Sequence, residues 1–386
     1  MAKKAGYPIW LLGILAFAGL LALCGCGSKA PPTPTEAAPS GAATVTLSHA
    51  PAHPTGAEAV SLEAAARGTV DRIVLSYQRY ELSSGTGGVH QQTLAASETL
   101  TTCDPVDLVT ALDCAYTMPA PFPDASLVRI SAVAYDGSDI ASEDAYSFAA
   151  GDYPWPSDPI PVRVNGAPLT HLDVILIPAN DIDENTLRSS LTDVIEGIYF
   201  GYRAIRSYSS LYNFYYSGVS GTYTELCKFT KPSNMATLQL TADTVAFLHS
   251  ANLRDCRSGS VMSSEITNDK SLIHETGHAL YDLQDEYCCD SSYSPQNCVP
   301  NLWKSLEDCE AYAPTAGLQV SDCTQLASGS QTKPYWFVDP KGSSGCLMGN
   351  SQHFSGSDFG PACELRIYWR YDNCLSGDCM PWPACP

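Results

Sequence analysis

The chain has few basic residues for its length. Its 386 residues include 21 Lys and Arg against 41 Asp and Glu, which gives a formal net charge of −20. A chain without a cationic surplus lacks the charge that neutralises phosphates in non-specific nucleic-acid binding. The sequence therefore predicts no nucleic-acid partner, and the acidic excess is typical of a solvated surface.

Several signatures of catalysis and redox chemistry are also absent. The chain shows no phosphate-binding loop, nucleotide fingerprint or Ser-His-Asp arrangement. None of its 16 cysteines has the CxxC spacing of zinc ribbons and thiol oxidoreductases. Without Cys24 and Cys26, 14 cysteines remain, an even number that predicts disulfides in an exported chain. Cys103 and Cys114 stand alone in the first half and are predicted to pair, and the other twelve predict a disulfide-rich C-terminal region.

The first 26 residues have the pattern of an export signal. Two lysines precede an apolar run at 9–23, which is too short for a comfortable membrane span. The run ends in LALCGC, which resembles bacterial lipoprotein signals, with Leu23 and Gly25 placed before Cys26. We expect cleavage before a lipidated Cys26 and anchoring at the outer membrane or cell surface. Simple secretion and an uncleaved anchor are the alternatives.

Composition divides the rest of the chain. Residues 27–43 are rich in Pro, Ala and Ser and predict a tether. Residues 44–153 contain short runs rich in Val, Ile and Tyr between turn residues, which predict an all-β, immunoglobulin-like sandwich. The Pro-rich stretch 154–165 predicts a linker. Residues 166–386 predict an α/β (α+β) domain, because the apolar run LDVILIP suits a buried strand and an amphipathic helical pattern follows it.

A short acidic segment, DIDEN, follows that strand. Its Asp181, Asp183 and Asn185 have spacing similar to that of a calcium loop, but the loop's glycine and terminal glutamate are missing. Asp183 and Glu184 equally suit the start of a helix, where negative charge is favoured. Ca²⁺ is therefore a secondary candidate.

The segment HETGH at 274–278 has the spacing of a zinc-binding helix. His274 and His278 project from one helix face, about 6 Å apart at Cβ, so both imidazoles can reach one ion. Glu275 lies beside the ion, where it can take a proton from water and pass it to a leaving amine. The pattern predicts a zinc hydrolase with Glu275 as general base. The alternative is a helix with two structural histidines.

A third ligand is expected among the acidic residues that follow. If the helix continued, Asp285 would lie about 10 Å further along its axis than His278, out of reach of the ion. Asp285 or Glu286 can bind only if the helix ends near 281–283 and the chain turns back. Helix geometry leaves both carboxylates open.

The pattern HExGHxxxxLxDEY resembles the metal-binding helix of the IgA-peptidase-like metzincins, the igalysins, whose motif has the same length and ends in the same DEY. Later segments are similar to further motifs of that family, in the same order: NLWKSLE at 301–307, GCLMGN at 345–350 and FGPACELRI at 359–367. The resemblance covers about the last 220 residues, and an all-β domain before the catalytic domain also suits the family. Family members usually carry glycine where this chain has Tyr281.

The resemblance implies a metzincin-like fold with one catalytic Zn²⁺. It implies that His274, His278 and Asp285 hold the ion, with Glu286 as the alternative third ligand. It also places a methionine-bearing turn, the Met-turn, at Met348 under the metal site.

Taken together, the sequence predicts a surface-anchored zinc metallopeptidase that hydrolyses peptide bonds in extracellular protein or peptide. Tyr287 and His353 are candidates for stabilising an oxyanion. A non-catalytic, zinc-containing binding or adhesion lipoprotein is the alternative from another class. A zinc amidase acting on cell-wall peptide would share the chemistry and differ only in its substrate.

Overall fold

A computed structural model describes residues 43–84, 90–104, 109–120, 122, 126–155, 157–224, 228–230, 232–234, 242–286, 301–325, 336–338, 346–349 and 358–373. The predicted signal peptide with Cys26, and all of the predicted tether but its last residue, lie outside these ranges. Tyr287 and His353 also lie outside them. Within the described ranges, no helix is both long enough and apolar enough to cross a bilayer.

The fold is mixed α+β, with mostly β-sheet and few helices. The first seven strands of the described residues are β1 (Thr44–Ala50), β2 (Val60–Val70), β3 (Arg72–Ser84), β4 (His90–Cys103), β5 (Val109–Met118), β6 (Ser126–Asp136) and β7 (Asp139–Ala150). Strands β1, β2 and β5 form one sheet, and β7, β6, β3 and β4 belong to a second. Buried residues alternate along β2 and β6, because successive side chains of a strand point to opposite faces. The inward faces of both sheets share one apolar core.

A disulfide between Cys103 and Cys114 joins β4 to β5, and thereby one of these sheets to the other. The pairing predicted from the isolation of these two cysteines is confirmed. A second disulfide in the described part of the chain joins Cys309 to Cys323.

The following strands are β8 (Ile160–Val164), β9 (Leu172–Pro178), β10 (Tyr212–Tyr216), β11 (Thr222–Thr224), β12 (Lys228–Thr230), β13 (Thr244–His249), β14 (Cys256–Ser258), β15 (Val261–Glu265), β16 (Cys323–Gln325) and β17 (Trp336–Val338). The described α-helices are α1 (Glu184–Thr192), α2 (Arg203–Arg206), α3 (Asp269–Tyr281), α4 (Leu306–Tyr312) and α5 (Pro361–Asn373), and a π-helical turn at Asp193–Ile198 directly follows α1. Strands β15, β13, β9 and β10 are adjacent and parallel. Every residue of β9 is buried, as its apolar run predicts.

The Pro-rich stretch 154–165, predicted to be a linker, instead contains β8. This strand pairs with β10 and, through one residue pair, with β7. Pro161 is accommodated because the β8–β10 pairing shifts register beside Tyr215, and irregular pairing is where a sheet tolerates proline. A single ten-stranded sheet therefore runs from the N-terminal strands into the C-terminal region.

Candidate metal centre

Helix α3 carries the HETGH segment and follows the parallel strand β15. The side-chain oxygen of Asn268 caps the helix by accepting a hydrogen bond from the Ser271 N–H at 3.2 Å. Leu272, Ile273 and Leu280 are buried in the main core of the C-terminal region. The helix is thus fixed by a cap at its start and by the apolar packing that its sequence predicts.

His274 and His278 are both buried on this helix, and their rings meet edge to face. The Nδ1 of His274 lies 3.1 Å from the carbonyl oxygen of Leu347, and the Nδ1 of His278 lies 2.7 Å from that of Leu283. A carbonyl can only accept, so each Nδ1 carries the proton and each Nε2 presents a lone pair. The two Nε2 atoms face one another at 3.1 Å. This tautomer is the one that imidazole ligands adopt when a second partner orients them.

Asp285 reaches the histidines because α3 ends at Tyr281 and the chain turns back. The Leu283 N–H donates to the carbonyl of Gly277 at 3.1 Å, which closes the end of the helix. The Oδ1 of Asp285 then lies 3.0 Å from the Nε2 of His274 and 3.1 Å from the Nε2 of His278. The helix therefore ends within residues 281–283, where the sequence requires it to end if an acidic residue is to reach the histidines.

Asp282 makes this turn in place of a glycine. Its φ of 59° lies in the left-handed region, which aspartate tolerates better than most residues with a side chain. Its carboxylate is held by Arg366 at 3.4 Å and by Arg257 at 3.6 Å. The preceding Tyr281 is completely buried, with its hydroxyl bonded to that of Tyr212. The missing glycine is thus compensated one residue later along the chain.

The two Nε2 atoms and the Asp285 Oδ1 all lie within 3.1 Å of one another. Ligand atoms at about 2.0–2.1 Å around a tetrahedral zinc ion would be separated by about 3.3 Å, so small adjustments would accommodate the ion. Among the described residues, this group offers three protein donors. Catalytic zinc sites have three protein ligands and leave the fourth position to water or substrate. The donor set therefore fits a catalytic zinc site.

Charge within this trio favours a cation. Burial opposes ionisation of Asp285, but hydrogen bonds from the rings of His274 and His278 in their protonated form outweigh it, and hold the pKa of this carboxyl well below its usual range. Burial also lowers the pKa of His274, yet its hydrogen bond to Asp285 and the charge of that carboxylate raise it overall. Both shifts have one cause, a carboxylate placed where it attracts positive charge between two imidazoles.

Glu275 is buried beside the trio. Burial raises the pKa of its carboxyl, and the neighbouring His278 and His274 only partly offset this effect. The negative charges of Asp285 and Asp255 raise it further. A carboxyl with a raised pKa next to a set of candidate metal ligands is suited to taking up and releasing a proton.

The turn at residues 346–349 packs directly against α3. Its Leu347 supplies the carbonyl that orients His274, and Met348 is completely buried. Gly277 permits this contact, because a Cβ at that position would stand 2.7 Å from the Met348 sulfur. Met348 therefore lies against the helix that carries the two histidines.

Glu286 belongs to a different cluster. Its Oε1 accepts hydrogen bonds from Asn301 at 3.0 Å and from the Cys363 thiol at 3.2 Å. With Cys346 and Cys363 it forms a second buried group of potential ligands. The structure accordingly brings Asp285, and not Glu286, to the histidines.

Asn301 is a supporting residue whose role the sequence did not reveal. It is completely buried, and its Oδ1 accepts from the Gln284 N–H at 2.9 Å while its Nδ2 donates to the Gln284 carbonyl at 2.7 Å. It thereby holds the backbone immediately before Asp285. The segment NLWKSLE was singled out only by resemblance, and no local pattern identifies its asparagine as a contact of the ligand loop.

The acidic residues considered for calcium have other partners. The Oδ2 of Asp181 accepts hydrogen bonds from the Ser250 N–H and hydroxyl and from the Ala251 N–H. Asp183 caps α1 by accepting from the Thr186 N–H at 2.7 Å. Neither carboxylate belongs to the groups of three or more potential ligands found among the described residues.

No family model and no curated protein matches the chain. Among solved structures, Spo0M, a sporulation control protein from Bacillus subtilis, is 16% identical with a TM-score of 0.21, over 30% of this chain and 51% of that one. A cycloisomaltooligosaccharide glucanotransferase from Paenibacillus sp. is 11% identical with a TM-score of 0.23, over 77% and 34%. The chain thus spans about half or less of the length of these structures. Such low TM-scores support no conclusion about fold or function, and the resemblance to igalysins rests on sequence motifs alone.

Proposed function

We propose that this chain is a zinc metallopeptidase that hydrolyses peptide bonds in extracellular protein or peptide. In this proposal residues 166–386 form a metzincin-like catalytic domain and residues 44–153 an immunoglobulin-like sandwich. The observation that carries it is the convergence of the His274 Nε2, His278 Nε2 and Asp285 Oδ1 within 3.1 Å. Both Nδ1 atoms are already engaged with carbonyl oxygens, so the lone pairs of the two Nε2 atoms are directed at one shared point.

The chemistry divides between the ion and Glu275. When bound, zinc polarises a carbonyl group and lowers the pKa of water at the site. His274, His278 and Asp285 would hold it. Glu275 takes a proton from the attacking water onto its carboxylate and delivers it to the leaving amine. Its buried position beside the ligands shields that proton from bulk solvent.

Zinc content tests the ligand set. We would measure zinc by elemental mass spectrometry after dialysis, in the wild type and in two matched variants, Asp285→Asn and Glu286→Gln. Each variant neutralises one of two adjacent carboxylates with little change of shape. We expect about one zinc per wild-type chain and per Glu286→Gln chain, and a sharp loss in Asp285→Asn. Loss of zinc only in Glu286→Gln would contradict the assignment of Asp285.

Activity tests the catalytic role separately. Glu275→Gln should retain zinc and lose cleavage of unfolded protein by a factor of about 10²–10⁴, since only the proton carrier is removed. Glu265→Gln, on the strand before α3, is the control and should cleave normally. Unchanged cleavage by Glu275→Gln would exclude the assigned mechanism. Zinc without any cleavage in the wild type would favour the binding or adhesion lipoprotein.

We also propose export and lipid anchoring through Cys26. The support is the sequence pattern of residues 1–26. Radiolabelled palmitate should label the wild type in a bacterial host, and Cys26→Ala should remain unlabelled. Labelling that persists in Cys26→Ala would remove this part of the proposal.

A further inference from the structure

Two cysteines meet beside the candidate metal centre. Cys346 begins the 346–349 turn and Cys363 lies in the first turn of α5, with their sulfur atoms 3.2 Å apart. Both thiols are buried. Gly360 allows this approach, because a Cβ on it would stand 3.0 Å from the Cβ of Cys346.

The turn that carries Cys346 also holds the candidate ligands in place. Its Leu347 carbonyl accepts the hydrogen bond from the Nδ1 of His274. Its Met348 carbonyl accepts a hydrogen bond from the Glu286 N–H at 2.8 Å, and this N–H directly follows Asp285. The position of the turn therefore affects two of the three candidate ligands.

We propose that Cys346 and Cys363 form a disulfide that joins the 346–349 turn to α5 and so fixes the carbonyl groups behind the metal centre. The existence of the bond is independent of the proposed function. Its effect on the metal centre rests on the proposed function, because it presumes that His274 and Asp285 bind an ion. Cys346 directly precedes Leu347, whose carbonyl accepts the hydrogen bond from the Nδ1 of His274.

The bond forms by thiol–disulfide exchange with an external disulfide as oxidant. One cysteine thiolate attacks a sulfur of the oxidant and releases its other half as a thiol, and the second cysteine thiolate then displaces the remaining half. The two cysteines lose two protons and two electrons, and the oxidant is reduced to two thiols. Burial raises the pKa of both thiols, so few thiolates form once the chain is packed. Oxidation during folding is the expected route.

A metal ion shared by the same cysteines is the competing arrangement. Cys346, Cys363 and Glu286 have ligand atoms close enough to hold one. Two thiolates at about 2.3 Å from a tetrahedral zinc would be about 3.8 Å apart, and the sulfur atoms of a disulfide are about 2.0 Å apart. These sulfur atoms lie between the two values, at 3.2 Å. The Glu286 Oε1 already accepts hydrogen bonds from Asn301 and from the Cys363 thiol. Two thiols in contact are expected to oxidise to a disulfide in an exported chain, and the sulfur–sulfur bond is therefore the arrangement that we propose.

Peptide mapping tests the bond. The full chain would be folded with oxidised and reduced glutathione, denatured with excess iodoacetamide, and digested with trypsin and a protease that cleaves before aspartate. Trypsin leaves both cysteines in the peptide from Gly342 to Arg366, and cleavage before Asp358 falls between them. We expect the two fragments to stay joined until they are reduced. Alkylation of both cysteines, or pairing of either with another cysteine, would overturn the proposal. Thiols that react only after a chelator is added would replace it with a bound ion.

A pair of double variants tests the effect on the metal centre. Cys346→Ala/Cys363→Ala removes this bond, and Cys103→Ala/Cys114→Ala removes a disulfide from the N-terminal sheets as the matched control. Zinc affinity would be measured by chelator competition. We expect the Cys346→Ala/Cys363→Ala variant to bind zinc about tenfold more weakly than the wild type, because loss of a group that orients a metal ligand has an effect of this size. The control variant should bind zinc as tightly as the wild type. If the Cys346→Ala/Cys363→Ala variant bound zinc as tightly as the control variant, the proposed effect of the disulfide on the metal centre would be overturned. A wild type that binds no zinc would defeat the proposed function but leave the mapped bond standing.

Discussion

Two pairs of buried histidines, each with members four residues apart, lie in the two halves of the molecule and make different contacts. In the N-terminal half, the Nδ1 of His49 accepts from the Tyr146 hydroxyl at 2.9 Å and its Nε2 donates to a backbone carbonyl at 3.1 Å. The Nδ1 of His53 accepts from the Tyr216 hydroxyl at 2.7 Å and its Nε2 donates to a carbonyl at 2.9 Å. All four ring nitrogens are satisfied by neutral groups.

The pair in the C-terminal half carries its protons on the opposite nitrogens. His274 and His278 donate from Nδ1 to carbonyl groups, and their Nε2 atoms face each other and the carboxylate of Asp285. Each ring therefore keeps a lone pair directed at a point shared with a negative charge. A negative charge between two imidazole nitrogens suits a cation, whereas the N-terminal arrangement pairs every ring nitrogen with a neutral group.

The pKa values follow the same contrast. Burial lowers the pKa of His49 to about 3 and that of His53 to about 4, since their neutral partners do little to stabilise the protonated rings. The pKa of His274 is raised despite burial, because Asp285 favours its charged form. A spacing of four residues therefore does not identify a metal ligand. What distinguishes the two pairs is the partner of the unprotonated nitrogen, which is a carboxylate in one pair and a tyrosine hydroxyl in the other.

The largest expected difference between the pairs is in zinc affinity. His278→Asn removes one of three candidate ligands and should weaken zinc binding by a factor on the order of 10³. His53→Asn removes a ring whose nitrogens are satisfied within the fold, so it should lower thermal stability and leave zinc affinity unchanged. Chelator competition and thermal unfolding of both variants would measure this. If both variants lost the same zinc affinity, the two histidine pairs would not differ in metal binding.

Acid should destabilise the fold through the N-terminal pair. In the unfolded chain both rings take up protons below their ordinary pKa of about 6.5, whereas in the folded chain His53 and His49 do so only near pH 4 and pH 3. Between these values the unfolded state binds more protons, so stability falls as the pH falls. The two rings together should lower the free energy of unfolding by about 3–4 kcal/mol between pH 7 and pH 5. Denaturant unfolding at a series of pH values would measure it.

The double variant His49→Gln/His53→Gln is the control for this pH dependence. Glutamine does not titrate, so the variant should be less stable at pH 7 and lose less stability between pH 7 and pH 5. No zinc should be added to these samples, because zinc bound to the folded state would add its own pH dependence. If the double variant lost as much unfolding free energy between pH 7 and pH 5 as the wild type, other groups would control the acid stability.

Local geometry accounts for the placement of the candidate residues on the helix. His274, Glu275 and His278 follow from helical spacing, and the need for the chain to turn back before Asp285 follows from the rise of a helix. Asp285 and Glu286 could not be separated from the sequence, because the choice depends on which side of the chain each carboxylate faces after the turn. The contact between Cys346 and Cys363 also depends on long-range packing, which spacing alone does not reveal.

The N-terminal pair and the strand β8 show the same limit. His49 and His53 carry no motif, and their role depends on tyrosines distant in the chain. The proline content of 154–165 predicts a linker, because proline cannot donate to a sheet. A pairing irregularity that accommodates Pro161 is a property of the assembled sheet.

The turn at Asp282 brings Asp285 to His274 and His278. Substitutions of Asp282 therefore test how the C-terminal pair acquires its third donor. Asp282→Ala keeps a Cβ at positive φ and loses the ion pairs with Arg366 and Arg257. We expect a loss of about 1–2 kcal/mol in unfolding free energy. Asp282→Gly removes the backbone strain and should lose less. Urea unfolding of both would test this, and an alanine variant as stable as the glycine variant would exclude strain at this position.

An effect of similar size is expected from the hydroxyl that hydrogen-bonds to His53 in the N-terminal pair. Tyr216→Phe removes the donor to the Nδ1 of His53 and leaves a buried acceptor unpaired, which should cost about 1–2 kcal/mol. Tyr215→Phe is the matched control, because the adjacent side chain of β10 points to the opposite face of the sheet. Zinc affinity should be unchanged in both, since neither hydroxyl contacts the candidate ligands. If Tyr216→Phe were as stable as Tyr215→Phe, the hydrogen bond between Tyr216 and His53 would not contribute to the stability of the fold.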